Sequence, residues 1–162
     1  MSLPFNAQEI LGIALQMERN GAAFYREAKD RADDPSKKEI LEDLAAKEDE
    51  HEGVFKAMLE ALGKAPGHET VFDPDEDAAK VLKAWADGTV FDAGAEGPSP
   101  LEGLETMEDI LRFAIQQEKD SIVFYEGVKR AMKNPGDQAA ADRIIAEELG
   151  HLVTLNDTLV GL

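Results

Sequence analysis

Two Glu-x-x-His pairs, Glu48-Asp49-Glu50-His51 and Glu148-Leu149-Gly150-His151, lie one hundred positions apart in a chain of 162 residues. On a helix, residues three apart project from one face, so each pair aims a carboxylate and an imidazole at a single point. Upstream of each pair stands a lone glutamate followed by an aromatic couple: Glu18 with Phe24-Tyr25, and Glu118 with Phe124-Tyr125, again offset by one hundred. Four carboxylates and two imidazoles make six potential metal ligands. Cysteine is absent from the chain. That excludes disulfides, thiolate catalysis, iron–sulfur clusters and Cys-ligated zinc, and leaves oxygen and nitrogen to hold any metal.

The elements that must position these residues follow from the same offset, which reads as a duplicated helical hairpin. The capping-box form Asn6-Ala7-Gln8-Glu9 opens helix one, and Ile10, Leu11, Ala14, Leu15, Ala22 and Tyr25 recur at helical spacing. It is expected to run from about 6 to about 33, ending at Asp33-Asp34-Pro35. Ser36-Lys37-Lys38-Glu39 then offers a capping box for helix two, whose apolar stripe is Leu41, Leu44, Ala45, Phe55, Met58 and Leu62, closed by Gly63 and Pro66. Thr106-Met107-Glu108-Asp109 opens helix three, expected over about 106–133, with Ile110, Leu111, Ala114, Ile115, Ile122 and Tyr125 repeating the stripe of helix one. Asn134-Pro135-Gly136-Asp137 makes the second turn, and Ala141, Ile144, Ile145, Leu152 and Leu155 carry helix four to the C-terminus.

Between the hairpins, 6–62 and 106–162, lies a crossover over 63–105 rich in Gly, Pro and acidic residues. Asp73-Pro74-Asp75-Glu76 is a helix start, so a short helix is expected to about Asp87-Gly88, anchored by Val81, Leu82 and Trp85. Gly94 to Pro100 reads as a linker, extended or mobile. A helix of roughly 27 residues is about 40 Å long, and the crossover has enough chain to return along it. The expected fold is all-α: one domain over 1–162, a four-helix bundle of two duplicated hairpins joined by a long crossover.

Composition narrows the function. Hydrophobic residues at 43% and charged residues at 31% make a globular, helix-leaning chain. A formal charge of −17 argues against nucleic acid and against anionic membrane surfaces, both of which want clustered Lys and Arg. No apolar run is long enough to span a bilayer, and the N-terminus lacks a signal-peptide pattern, so a cytoplasmic protein is expected.

The candidate ligands fall on the buried stripes. Around Glu18 the positions three, four and seven away are Leu11, Ala14, Leu15, Gly21, Ala22 and Tyr25; around Glu118 they are Leu111, Ala114, Ile115, Ser121, Ile122 and Tyr125. Glu148 lies among Ala141, Ile144, Ile145, Leu152 and Leu155, and Glu48 and His51 among Leu41, Leu44, Ala45, Val54, Phe55 and Met58, with Glu52 interrupting that face. Glu18 and Glu118 lie about 16 residues before their turns, and Glu48 and Glu148 about 13 after, which makes the four carboxylates level within a helical turn. A chain with 34 acidic residues produces single Glu-x-x-His pairs by chance. Two in register, each with its own lone glutamate, are another matter. Four ionised carboxylates in a dry core would cost several kcal/mol each, against a total stability of about 5–15 kcal/mol. Two divalent cations would cancel that charge, with two neutral histidines completing the shells. Tyr25 and Tyr125, two turns beyond Glu18 and Glu118, are placed to bond carboxylates of neighbouring helices. Glu50, Glu52 and Glu147 have no such registration and are expected to be solvated or supporting; His68 is expected to be exposed.

Glu18, Glu48-x-x-His51, Glu118 and Glu148-x-x-His151 resemble, in order and spacing, the ligand pattern of the ferritin-like diiron carboxylate proteins, and within them the rubrerythrin-like group. The resemblance covers both hairpins. Rubrerythrins proper carry a rubredoxin-like domain with four cysteines, so this chain resembles an erythrin domain alone. They also have a further glutamate one turn after the helix-three ligand, where this chain has Ser121, which sets it apart from the redox-linked shift of an iron between His and Glu known in that family. The resemblance implies two irons bridged by Glu48 and Glu148, with Glu18, His51, Glu118 and His151 completing the coordination, and reduction of peroxide or dioxygen by the diferrous pair. It also implies a separate electron-donor protein and a homodimer. Iron binding or ferroxidase-type storage, a manganese catalase-like centre, and a bundle with a structural metal such as zinc are the alternatives.

Overall fold

The computed structural model describes residues 7–62, 64 and 99–162. Four long helices account for nearly all of them: α1 (Ala7–Arg31), α2 (Pro35–Ala61), α3 (Met107–Ala131) and α4 (Pro135–Val160). The all-α four-helix bundle expected from sequence is the observed architecture. The crossover helix with Val81, Leu82 and Trp85, His68, and the start signal at Asn6 lie outside the described residues.

The caps explain the helix starts. At the expected start of α3, Thr106 and Asp109 form a reciprocal box, the Thr106 hydroxyl accepting from the Asp109 amide and the Asp109 carboxylate from the Thr106 amide, both at 3.1 Å. At α2 the sequence expectation is corrected: the cap is Asp34, not Ser36, and its Oδ1 accepts from the Ser36 amide at 2.7 Å. Pro35 decides this, because its fixed φ and missing N–H suit the first position of a helix. Helix one accordingly ends at Arg31, short of the expected 33. The same arrangement starts α4, where Asn134 caps and Pro135 is already helical, so the expected turn is partly helix.

Of the expected linker over Gly94 to Pro100 only Ser99 and Pro100 are among the described residues, and the segment from Ser99 to α3 is tied down. Ser99 donates to Glu27 at 2.7 Å, Leu101 is fully buried, and Arg31 donates to the carbonyls of Leu101 and Leu104 at 3.1 and 3.0 Å. Gly103 turns the chain there with a φ of 86°, which a side chain would resist.

Contacts between helices set their directions. Arg19 pairs with Glu52 and Lys29 with Glu42, so α1 and α2 are antiparallel. The Phe24 ring lies 5.3 Å from Phe113, and Arg31 reaches the chain just before α3, so α1 and α3 are antiparallel as well. Lys129 pairs with Asp142 across α3 and α4, and His51 meets Glu147 across α2 and α4. Each helix therefore opposes both neighbours, and α2 runs parallel to α3 across the diagonal. The end of α2 and the start of α3 therefore lie at opposite ends of the bundle, the arrangement of a four-helix bundle with a long crossover.

Burial differs between the two kinds of helix. On α2 one row is buried: Leu41, Leu44, Ala45, Glu48, His51, Phe55 and Met58. On α3 a second row joins it, so that Gln117, Ser121, Phe124 and Val128 are buried beside Leu111, Glu118 and Tyr125, while Ile115 and Ile122 are only half-buried. Aromatic residues fill the space around the middle of the bundle; the Phe55 and Tyr125 rings lie 5.0 Å apart and both are inaccessible.

Candidate metal centre

All six sequence-predicted ligands meet at mid-bundle. Glu18 and Glu148 are fully buried, Glu48, His51 and Glu118 are at most 5% exposed, and His151 is 7% exposed. They fall into two quartets, Glu18, Glu48, His51 and Glu148 in one, and Glu48, Glu118, Glu148 and His151 in the other, each offering ligand atoms within 4.8 Å of one another. Glu48 and Glu148 belong to both. The antiparallel packing produces this sharing, because each Glu-x-x-His pair lies opposite the other at the same height.

The imidazoles point inward with Nδ1. His51 Nδ1 is 3.2 Å from Glu148 and 3.6 Å from Glu18; His151 Nδ1 is 2.7 Å from Glu148, 3.2 Å from Glu48 and 3.4 Å from Glu118. Yet both Nδ1 atoms, both Glu148 oxygens, Glu18 Oε2 and Glu48 Oε1 lack a hydrogen-bond partner. Nitrogen and oxygen therefore converge on common centres instead of on each other. Orphaned buried groups of this kind cost about 1–3 kcal/mol each, more when charged, which is the expense a cation would remove. The donor set, carboxylate oxygen with imidazole nitrogen, fits iron, manganese or zinc.

Metal-free electrostatics tell the same story. Burial pushes Glu118 up to about 8, helped by the charge of Glu148. It raises Glu18, again with Glu148 adding, and it raises Glu48 well above the ordinary value, where Glu18, Glu148 and Glu118 all contribute repulsion. Burial works against a charged Glu148 too, but the adjacent His151 and His51 imidazoles prevail and hold it at about 2. Burial likewise opposes charge on the histidines, and nearby carboxylates overcome it: Glu148 and Glu18 raise His51 to about 11, and Glu118 and Glu148 raise His151 to about 9. Protons do in the empty protein what cations would do in the loaded one.

The tyrosines take the places expected of them. Tyr25 donates its hydroxyl to Glu118 Oε1 and Tyr125 to Glu18 Oε1, each bond crossing between α1 and α3. Their counterpart is Gly21, where a Cβ would sit 2.9 Å from Glu48 Oε2. Any larger residue would require that carboxylate to shift. Sequence reasoning passed over this, although a glycine one turn after a candidate ligand, in the interior of a helix, is itself a signal.

Of the two roles expected for Glu147, solvated or supporting, the structure has the second: its Oε2 lies 2.8 Å from His51 Nε2, and its side chain is 35% exposed. With antiparallel pairs at one height, the residue before Glu148 meets the histidine of the opposite helix, and an acid there was the available clue. Glu50 and Glu52 behave as expected, pairing at the surface with Lys47 and Arg19.

The sequence matches the rubrerythrin family over residues 9–159. The chain belongs to the rubrerythrin family. A Thermotoga maritima protein, provisionally described as a ferritin-like diiron-carboxylate protein, shares the fold with a TM-score of 0.70 at 24% identity, over 98% of this chain and 97% of that one. No curated protein matches the sequence. Ser121, one turn after Glu118, is buried and offers no carboxylate. Among the described residues no helix is long and apolar enough to cross a membrane.

Proposed function

We propose that this is a non-haem diiron protein that reduces peroxide or dioxygen. The observation that carries the reading is the pair of overlapping quartets, with Glu48 and Glu148 common to both. Glu18 and His51 would hold one ion and Glu118 and His151 the other, with Glu48 and Glu148 available to both. A reduced iron pair supplies two electrons, enough with two protons to turn hydrogen peroxide into two waters, after which an external reductant must restore the pair. The chain's own residues define the setting: Tyr25 and Tyr125 fix the orientation of Glu118 and Glu18, and both are held protonated, their pKa raised far above ordinary by burial and then by the surrounding carboxylates. Aromatic rings and aliphatic side chains keep bulk water from the centre. The reading retains the expectations of a separate electron-donor protein, a small oxidant, a cytoplasmic setting and a homodimer.

The test is a stopped-flow mix of anaerobic, ferrous-loaded protein with peroxide. Rapid oxidation is expected in the wild type and in Glu108→Gln, whose carboxylate is paired with Arg112 at the surface, and loss of the reaction in Glu148→Ala. Metal retained without reaction toward peroxide or dioxygen would turn the reading to a structural metal. Uptake of many irons per chain would turn it to storage.

A further inference from the structure

We propose that the two metal positions are unequal, and that the one at Glu18 and His51 fills first and holds its ion more tightly. This rests on the diiron reading above. The duplication makes the two positions alike in most respects: each has its own glutamate, each of those glutamates accepts one tyrosine hydroxyl, and both share Glu48 and Glu148. They part at the outer nitrogen of the histidine. His51 Nε2 lies 2.8 Å from the Glu147 carboxylate. One hundred positions earlier, the residue corresponding to Glu147 is Lys47, whose ammonium instead pairs with Glu50 at 2.8 Å. The duplicated chain thus puts an anion behind one histidine, and at the corresponding position in sequence it has a lysine, whose ammonium pairs with Glu50.

The difference acts through the ring. A carboxylate at Nε2 accepts the ring N–H, fixes the tautomer that leaves the Nδ1 lone pair free, holds the ring plane, and makes Nδ1 a better donor. Losing such a partner typically costs about 10–100-fold in metal affinity. A lysine has no lone pair with which to accept a ring N–H when protonated, so this position cannot do for a histidine what Glu147 does. A further difference between the halves, Gly21 against Ser121, involves no charge.

Zinc titration of the metal-free full-length chain, followed by nitrogen NMR of the histidine rings, tests this. The first equivalent is expected to move the His51 Nδ1 resonance and the second that of His151. Glu147→Ala should weaken the first step by about 10–100-fold and bring the two steps together. Lys47→Glu should strengthen the second step and narrow the gap from the other side. Rings that respond together throughout the wild-type titration, or a Glu147→Ala protein with the original order and first affinity, would overturn the inequality while leaving a dimetal site intact. A chain that takes up no metal at all would instead remove the diiron reading on which the inequality stands.

Discussion

Tyr25 and Tyr125 each carry one proton that a buried carboxylate needs, and their removal should be felt at once. Tyr25→Phe leaves Glu118 Oε1 without its donor in an inaccessible site, which is expected to cost about 1–3 kcal/mol of stability in the metal-free protein. Urea unfolding of the two proteins side by side measures it, and an unchanged midpoint would mean that water replaces the hydroxyl. Gly21→Ala separates stability from binding. Alanine improves a helix interior by roughly 0.5–1 kcal/mol over glycine, yet its Cβ would press on Glu48 at 2.9 Å. Weaker metal binding without loss of helix stability is therefore expected, checked by competition with a chelator and by thermal melting. These two positions also differ in how they could be read. A tyrosine two turns from a glutamate on the same face is visible in sequence, whereas Gly21 matters only through a neighbour on another helix.

The helices themselves were legible wherever a local rule has one answer. Thr106 to Asp109 admits a single reciprocal box, and the structure has it. Before α2, two capping residues two positions apart competed, and Pro35 between them settled which one served. The register of the ligands was legible because period and level are local properties repeated twice. Glu147 was not, since its role depends on which residues of α4 come opposite His51 on α2, and that is set by tertiary packing. Caps make the element-scale prediction. Asn134 Oδ1 accepts from the Gly136 and Asp137 amides at 2.7 and 3.2 Å, so Asn134→Ala should destabilise the fold by about 1 kcal/mol. Chemical denaturation reads this directly, and an equal loss in Asn134→Gly would point to strain in the turn instead of the missing cap.

For the molecule as a whole, folding and metal binding are coupled through protons. Glu118 is raised from 4.5 to about 8 and His151 from 6.5 to about 9, so both favour the folded metal-free state at low pH. That stability is lost as pH rises through about 4.5 to 8 for Glu118, and through about 6.5 to 9 for His151. Glu148, lowered to about 2, contributes in the opposite direction and only in acid below its ordinary 4.5. The metal-free bundle should therefore melt progressively lower between pH 5 and pH 9 by these shifts, and the gap to the loaded protein should widen over that range. Equal melting temperatures for both forms throughout would contradict the buried placement of the carboxylates. Metal uptake near neutrality should also release protons from the two histidines, seen as a buffer-dependent heat in calorimetry. The most direct test of the diiron centre is the iron content of chain reconstituted anaerobically with ferrous iron and freed of excess. About two irons per chain is the expected result, the number that balances four buried carboxylates; no bound iron, or a single ion retained equally by Glu148→Ala, would contradict it.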